Sequence, residues 1–153
     1  MGPIDQRLTK LGITLPTPNA PVANYVPFVK SGDLLFVSGQ ISLGPAGLVK
    51  GKLGATLTLE EGVAAARLCG INILAQLKAA LGGDLNRVMR IVKLGGFVNC
   101  TPDFEDQPKV INGASDLMVS VFGEAGKHAR AAVGAPNLPM GAAVEVDAVV
   151  EVA

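Results

Sequence analysis

The sequence predicts an α+β domain in which two helices pack on one side of a mixed, mostly antiparallel sheet. Two observations lead there. Branched and apolar residues alternate around residues 28–42 and 129–152, the period of half-buried strands. Two central segments instead repeat apolar residues every three or four positions, the period of helices. The order along the chain is strands, helix, strand, helix, strands.

The first dozen residues form a short helix that ends at Gly12, and Pro16, Pro18, Pro21 and Pro27 then favour an extended lead-in; residues 1–18 are an N-terminal arm. "FVKSGDLLFVSGQIS" reads as a hairpin around the turn signal Ser31-Gly32-Asp33. "LGPAGLVKGKLG" is a loop with a short strand near residues 48–51. Thr58 and Glu61 fit a capping box, and Leu59, Val63, Ala66, Gly70, Leu74, Leu77 and Leu81 continue it as a helix that stops at Gly82-Gly83. "NRVMRIVKLGGFVN" is a buried strand, weakened or bulged at Gly95 and Gly96. A second helix starts near Asp106, tolerates Pro108 in its first turn, and runs to about Gly126 with Val110, Ala114, Leu117, Val121 and Phe122 on one face.

The last two strands carry the question of function. In "AAVEVDAVVE", Val144, Val146, Ala148 and Val150 form a core face and Glu145 lies on the other. In "HARAAV", Ala129, Ala131 and Val133 alternate with His128 and Arg130, which places Arg130 on the same face as Glu145 if both strands join one sheet.

Composition narrows the classes. The 153 residues suit one domain, 1–153. Thirteen basic residues balance thirteen acidic ones, and no Trp and one Tyr leave few stacking platforms, so nucleic acid is not an expected partner. No apolar run is expected to cross a membrane, and the charged N-terminus lacks a secretory pattern, so a cytoplasmic location is expected. Cys69 and Cys100 with a single His make neither a disulfide framework nor a zinc site, and Cys69 reads as helix packing. No metal or other cofactor is expected. The sheet face without helices keeps small and apolar residues, which favours burial against copies of the same chain.

With "NAPVANY" in the arm, "VSGQI" in the second strand, Asn112 in the second helix, and "AR" followed by "LP" and "VEV" at the end, the chain resembles the RidA (YjgF/YER057c/UK114) family. The resemblance implies a chorismate-mutase-like fold, a homotrimer with sites between subunits, and hydrolysis of reactive enamines and imines to 2-keto acids and ammonia. It implies that Arg130 binds the carboxylate of a small-molecule substrate and that Glu145 orients the attacking water. Tyr25 and Ser38 would line the pocket, the tyrosine contributed by the adjacent subunit, with Asn112 and the backbone at Gly39 in support. His128 has no assigned role. Typical members carry a cysteine two residues after the arginine, where this chain has Ala132. A non-catalytic trimer that binds small carboxylates is the alternative, with RNA cleavage a distant third.

Overall fold

The structure, a computed structural model, describes residues 2–18 and 24–153. The first five residues of the "NAPVANY" segment, Pro21 among them, lie outside the described residues.

The chain runs α1 (Pro3–Lys10), β1 (Phe28–Ser31), β2 (Leu34–Ile41), β3 (Leu43–Gly44), β4 (Gly47–Leu48), α2 (Leu59–Ala80), β5 (Val88–Asn99), α3 (Gln107–Phe122), β6 (Ala129–Ala135) and β7 (Val144–Val152). Five strands form one sheet in the order β1-β2-β7-β5-β6. All pairs are antiparallel except β5 with β6, whose parallel pairing requires a crossover that α3 supplies. This is the expected α+β architecture with a mixed, mostly antiparallel sheet.

Local chemistry explains the helices. The Glu61 N–H donates to Thr58 Oγ1 (3.2 Å) and the Thr58 N–H to Glu61 Oε1 (3.0 Å), the reciprocal capping box that starts α2. At its other end the Gly83 N–H reaches the Lys78 carbonyl (2.8 Å), with Gly82 and Gly83 both at positive φ. Helix α3 packs on α2 so closely that a Cβ on Gly113 would strike the Val63 carbonyl. Helix α1 docks below them, its Arg7 donating to the Val121 carbonyl (2.7 Å). By length and apolar composition α2 could cross a bilayer, contrary to the sequence expectation, yet half of that window is buried in the protein, the setting of a core helix.

Strand β7 is the axis of the sheet. Val144, Val146, Ala148, Val150 and Val152 are buried beneath the helices, and Glu145, Asp147, Val149 and Glu151 face the other way, as their alternation predicts. Ile73, Leu74 and Leu77 from α2 and Ile111, Met118 and Val121 from α3 fill the space between, each large buried side chain contributing roughly 1.5–3 kcal/mol. The opposite face is open. Phe36 and Val29 stand beside Val149, and Val133 stands beside Phe97. Phe36, Val29 and Val133 are exposed.

Two sequence expectations need correction here. The ladder between β5 and β7 is continuous through Gly95 and Gly96; its irregularities lie between Val88 and Arg90 and between Ile91 and Lys93. The two glycines make room instead of breaking the strand. A Cβ on Gly95 would strike the Asp147 carboxylate, and one on Gly96 would meet Ile111 at 2.6 Å. The short strand expected near 48–51 is a two-residue pairing of β4 with β3, followed by a bridge from Lys50 to Ala142.

Candidate functional site

One corner of the sheet gathers four of the expected residues. Strand β1 pairs with β2 only as far as Val37, so from Ser38 onward β2 is the sheet edge. Its register against β7 shifts between Val37 and Gln40, leaving Ser38 and Gly39 in a bulge. Ser38 anchors the incoming arm: its N–H donates to the Pro27 carbonyl (2.9 Å) and its Oγ to the Val26 carbonyl (2.8 Å). Gly39 lies under the Glu145 side chain, where a Cβ would strike Oε2. A cleft of about 440 Å³ opens here, lined by Tyr25, Ser38, Gly39 and Glu145 among others. Tyr25 is 63% exposed at its mouth, so its ring is free to meet another surface. Met140, also at the rim, holds a left-handed backbone conformation (φ 58°) that costs a non-glycine residue energy.

The electrostatics of this corner favour proton uptake. Burial raises the Glu145 carboxyl above its ordinary value, and the neighbouring Asp147 raises it further. Asp147 is itself raised by burial, with the Gly95 backbone N–H and Lys93 opposing. Neither carboxylate makes an ion pair among the described residues. Below Glu145, on the helix side, the Cys69 thiol is buried, hydrogen-bonded to the Val144 carbonyl (3.4 Å) and driven far up by desolvation, as suits a packing residue.

Arg130 occupies a different corner. Its Nη1 donates to Asn112 Oδ1 (2.8 Å) and Ser115 Oγ (3.1 Å), and its Nη2 donates to the Pro108 carbonyl (3.3 Å), all on α3. Ser115 also meets His128 Nε2 (2.9 Å), while His128 Nδ1 lies 2.7 Å from the Gly126 carbonyl. His128 therefore helps to fix the platform on which Arg130 rests. Of the five guanidinium N–H groups, these contacts leave Nε–H and one Nη2–H for a ligand, and such a pair fits a carboxylate's two oxygens.

The expected sharing of a sheet face by Arg130 and Glu145 does not hold. Arg130 registers with the buried Leu94 of β5 and points toward α3, whereas Glu145 registers with Phe97 on the open face. The period of β6 is as read, but its small residues Ala129, Ala131 and Val133 take the open side. Polar partners on α3 stabilise the opposite choice for the arginine. Strand β5 also separates the two strands, so one protomer holds Asn112 with Arg130 at one corner and Tyr25, Ser38, Gly39 and Glu145 at another.

A second cavity, of about 460 Å³, lies where the 100–106 link meets the end of β6 and contains none of the expected residues. There Lys52 donates to Asn99 Oδ1 (2.7 Å) and to the Pro136 carbonyl. Among the described residues, no group of three or more His, Cys, Asp or Glu side chains is placed to hold a metal ion.

The structure adds residues that the sequence reading passed over. Ser115 could have been found, since it lies three positions after Asn112 and so on the same helix face. Gln40, Gln76 and Asp147 carried no such signal.

Comparison with known proteins agrees with this architecture. A family model described as "YjgF/chorismate_mutase-like, putative endoribonuclease" matches residues 5–152. Protein TCP17 of Trypanosoma cruzi is 55% identical over 98% of this chain and 94% of its own length. The crystal structure of Atu1372 from Agrobacterium tumefaciens superposes with a TM-score of 0.91 at 51% identity, covering 98% of this chain and 94% of that one. RidA from the Antarctic bacterium Psychrobacter sp. PAMC 21119 gives a TM-score of 0.58 at 29% identity, covering 92% of this chain and 99% of that one. A match over nearly the whole length, on the fold and strand order described above, means that the chain belongs to the YjgF/RidA, chorismate-mutase-like family.

Proposed function

We propose that the protein is a homotrimer that hydrolyses reactive enamine and imine intermediates, of the 2-aminoacrylate or 2-iminobutanoate type, to 2-keto acids and ammonia. One observation carries the reading: each protomer holds two unfinished half-sites of opposite charge. Among the described residues, Arg130 keeps two unmatched donors and the half-buried Glu145 has no cation partner. Copies that cover the open sheet face of one another would place Arg130 and Asn112 of one beside Glu145, Gly39 and Ser38 of the next. Tyr25, exposed beside that cleft, would meet the same interface.

The chemistry follows from the residues. The Arg130 fork binds the substrate carboxylate and holds its charge at any working pH. An enamine first takes a proton at C3 and becomes the imine. Water held by Glu145 then attacks C2, one of its protons passing to the Glu145 carboxylate while the imine nitrogen takes a proton from solvent and becomes an amine. The resulting carbinolamine collapses as Glu145 returns its proton to the nitrogen: the C2–N bond breaks, ammonia leaves, the hydroxyl gives its proton back to solvent and C2 becomes the keto carbon. A carboxyl whose proton affinity is raised by burial suits this exchange. Cleavage of RNA is not part of this reading, because the chain has no net charge and a single His, and that His is committed to Ser115 and Gly126.

Complementation tests the reading. Arg130→Ala and Glu145→Ala proteins, each inactive, are unfolded, mixed in equal amounts and refolded. Sites built between subunits regain about one quarter of parental imine turnover, the chance that a given interface draws both intact residues. Sites confined to one protomer regain none, and sedimentation of the parent as a monomer would remove the trimer outright. Parental protein that binds 2-ketobutyrate yet never accelerates imine loss is a carboxylate binder and not a deaminase.

A further inference from the structure

The cleft at Glu145 continues around the edge of β2 to the helix side of the sheet, where Gln40 of the strand and Gln76 of α2 line it. Gln76 is 8% exposed, and its Oε1 is the buried side-chain oxygen without a hydrogen-bond partner among the described residues.

The direction of these amides is dictated by their neighbours. The Ser38 carbonyl can only accept, so Gln40 must turn its Nε2 toward it (2.9 Å) and is left with Oε1 facing α2. That oxygen also can only accept, so Gln76 must offer Nε2 in turn (3.5 Å). Reversing either amide would set oxygen against oxygen. The chain of bonds therefore ends in a bare acceptor, Gln76 Oε1, in the wall of a cleft whose other wall carries Glu145. A buried acceptor left unmatched is destabilising, so its place in an otherwise apolar stretch of α2 points to a partner.

We propose that Gln76 is a specificity-determining residue that accepts a hydrogen bond from a donor on the substrate side chain, so that imino acids carrying a hydroxyl or amide N–H are turned over faster than hydrocarbon imino acids of like size. This rests on the imine-hydrolase reading and deepens it by naming the substrate class. The arrangement places recognition away from the reacting carbon. The carboxylate belongs to Arg130, the water to Glu145, and the far end of the side chain to Gln76.

The test uses imino acids generated by an amino-acid oxidase from near-isosteric pairs: threonine and valine, asparagine and leucine, glutamine and methionine. The donor moves farther from the reacting carbon along the series, so the pair with the largest preference measures the reach of the site. For at least one pair the parental protein favours the donor-bearing substrate by about tenfold or more in kcat/KM. In Gln76→Leu and Gln76→Met the ratio falls toward one. A parental ratio under about twofold for every pair, or a ratio unchanged in both variants, overturns the inference and assigns Gln76 Oε1 to a bound water. Should no imine be turned over, the hydrolase reading fails by itself. The corresponding 2-keto acids, titrated by calorimetry, then decide: a donor preference that Gln76→Leu abolishes upholds the subsite, and its absence rejects it.

Discussion

At the β6 corner the charged group is held in place by its own protomer: Arg130 rests on Asn112, Ser115 and the Pro108 carbonyl, with His128 bracing the serine from behind. At the β2–β7 corner, Glu145 lies over a bulge glycine, next to a second carboxylate, with no cation among the described residues. The difference teaches what each charge is for. A guanidinium never changes protonation, so hydrogen bonds can orient it without altering its chemistry. A carboxylate that must take up and return a proton has to be left short of partners, because each donor or cation given to it would lower its affinity for that proton.

Removing Arg130 tests the braced corner and has the largest expected effect. Arg130→Ala takes away the partner of a buried ligand carboxylate, a loss of roughly 2–5 kcal/mol, so calorimetry with 2-ketobutyrate detects no binding and imine turnover ends with it. Glu145→Gln keeps the shape of the unfinished corner and removes its proton chemistry. Turnover falls by about 10² to 10⁴, while affinity for 2-ketobutyrate stays within about one order of magnitude of the parent. Equal loss of binding in both variants would mean that the two corners do not divide the work.

A smaller effect sharpens the electrostatic side of the contrast. Asp147 raises the proton affinity of Glu145, so Asp147→Asn lowers it. In the proposed mechanism the working base is the carboxylate, and kcat/KM falls as it protonates. The acid limb of the pH profile therefore moves to lower pH in the variant, and an unmoved limb would detach Asp147 from the site. The smallest effect concerns the rim. Met140 is 68% exposed and held at φ 58°, so Met140→Gly relieves backbone strain with little loss of packing. The urea midpoint of unfolding rises, by up to about 1 kcal/mol in stability; a fall would show that the side chain contributes contacts.

The parts of the molecule legible in sequence are those decided by neighbours along the chain. The Thr58–Glu61 box, the stop at Gly82-Gly83 and the alternation of β7 are all local, and the structure repeats them. The face taken by Arg130 is not local. Its alternation with Ala129 and Ala131 says that they differ in side, but only the parallel register with Leu94 says which side is which. Gly95 and Gly96 misled for the same reason: a glycine in a strand reads as weakness until Asp147 and Ile111 are seen above it. Gln76 was invisible because a polar residue in an otherwise apolar helix looks solvated, and its burial depends on Gln40 across the sheet edge.

The central strand of the sheet is also the last of its strands along the sequence, and this constrains how the sheet is assembled. Before β7 arrives, β2 and β5 have no strand between them, and among the described residues the two halves of the molecule, a hairpin with α2 and a β5-α3-β6 unit, are linked through their backbones by the isolated Leu53–Cys100 bridge and not by the sheet. With the Val152 N–H bonded to the Asp33 carbonyl and the Ala153 N–H to that of Arg87, the ladder closes only when residues 152 and 153 reach both halves. Until β7 is in place the sheet stays split, with unpaired edges on β2 and β5 that are prone to associate. Disruption of β7 should therefore cost far more than disruption of an edge strand such as β1, because it opens the middle of the sheet.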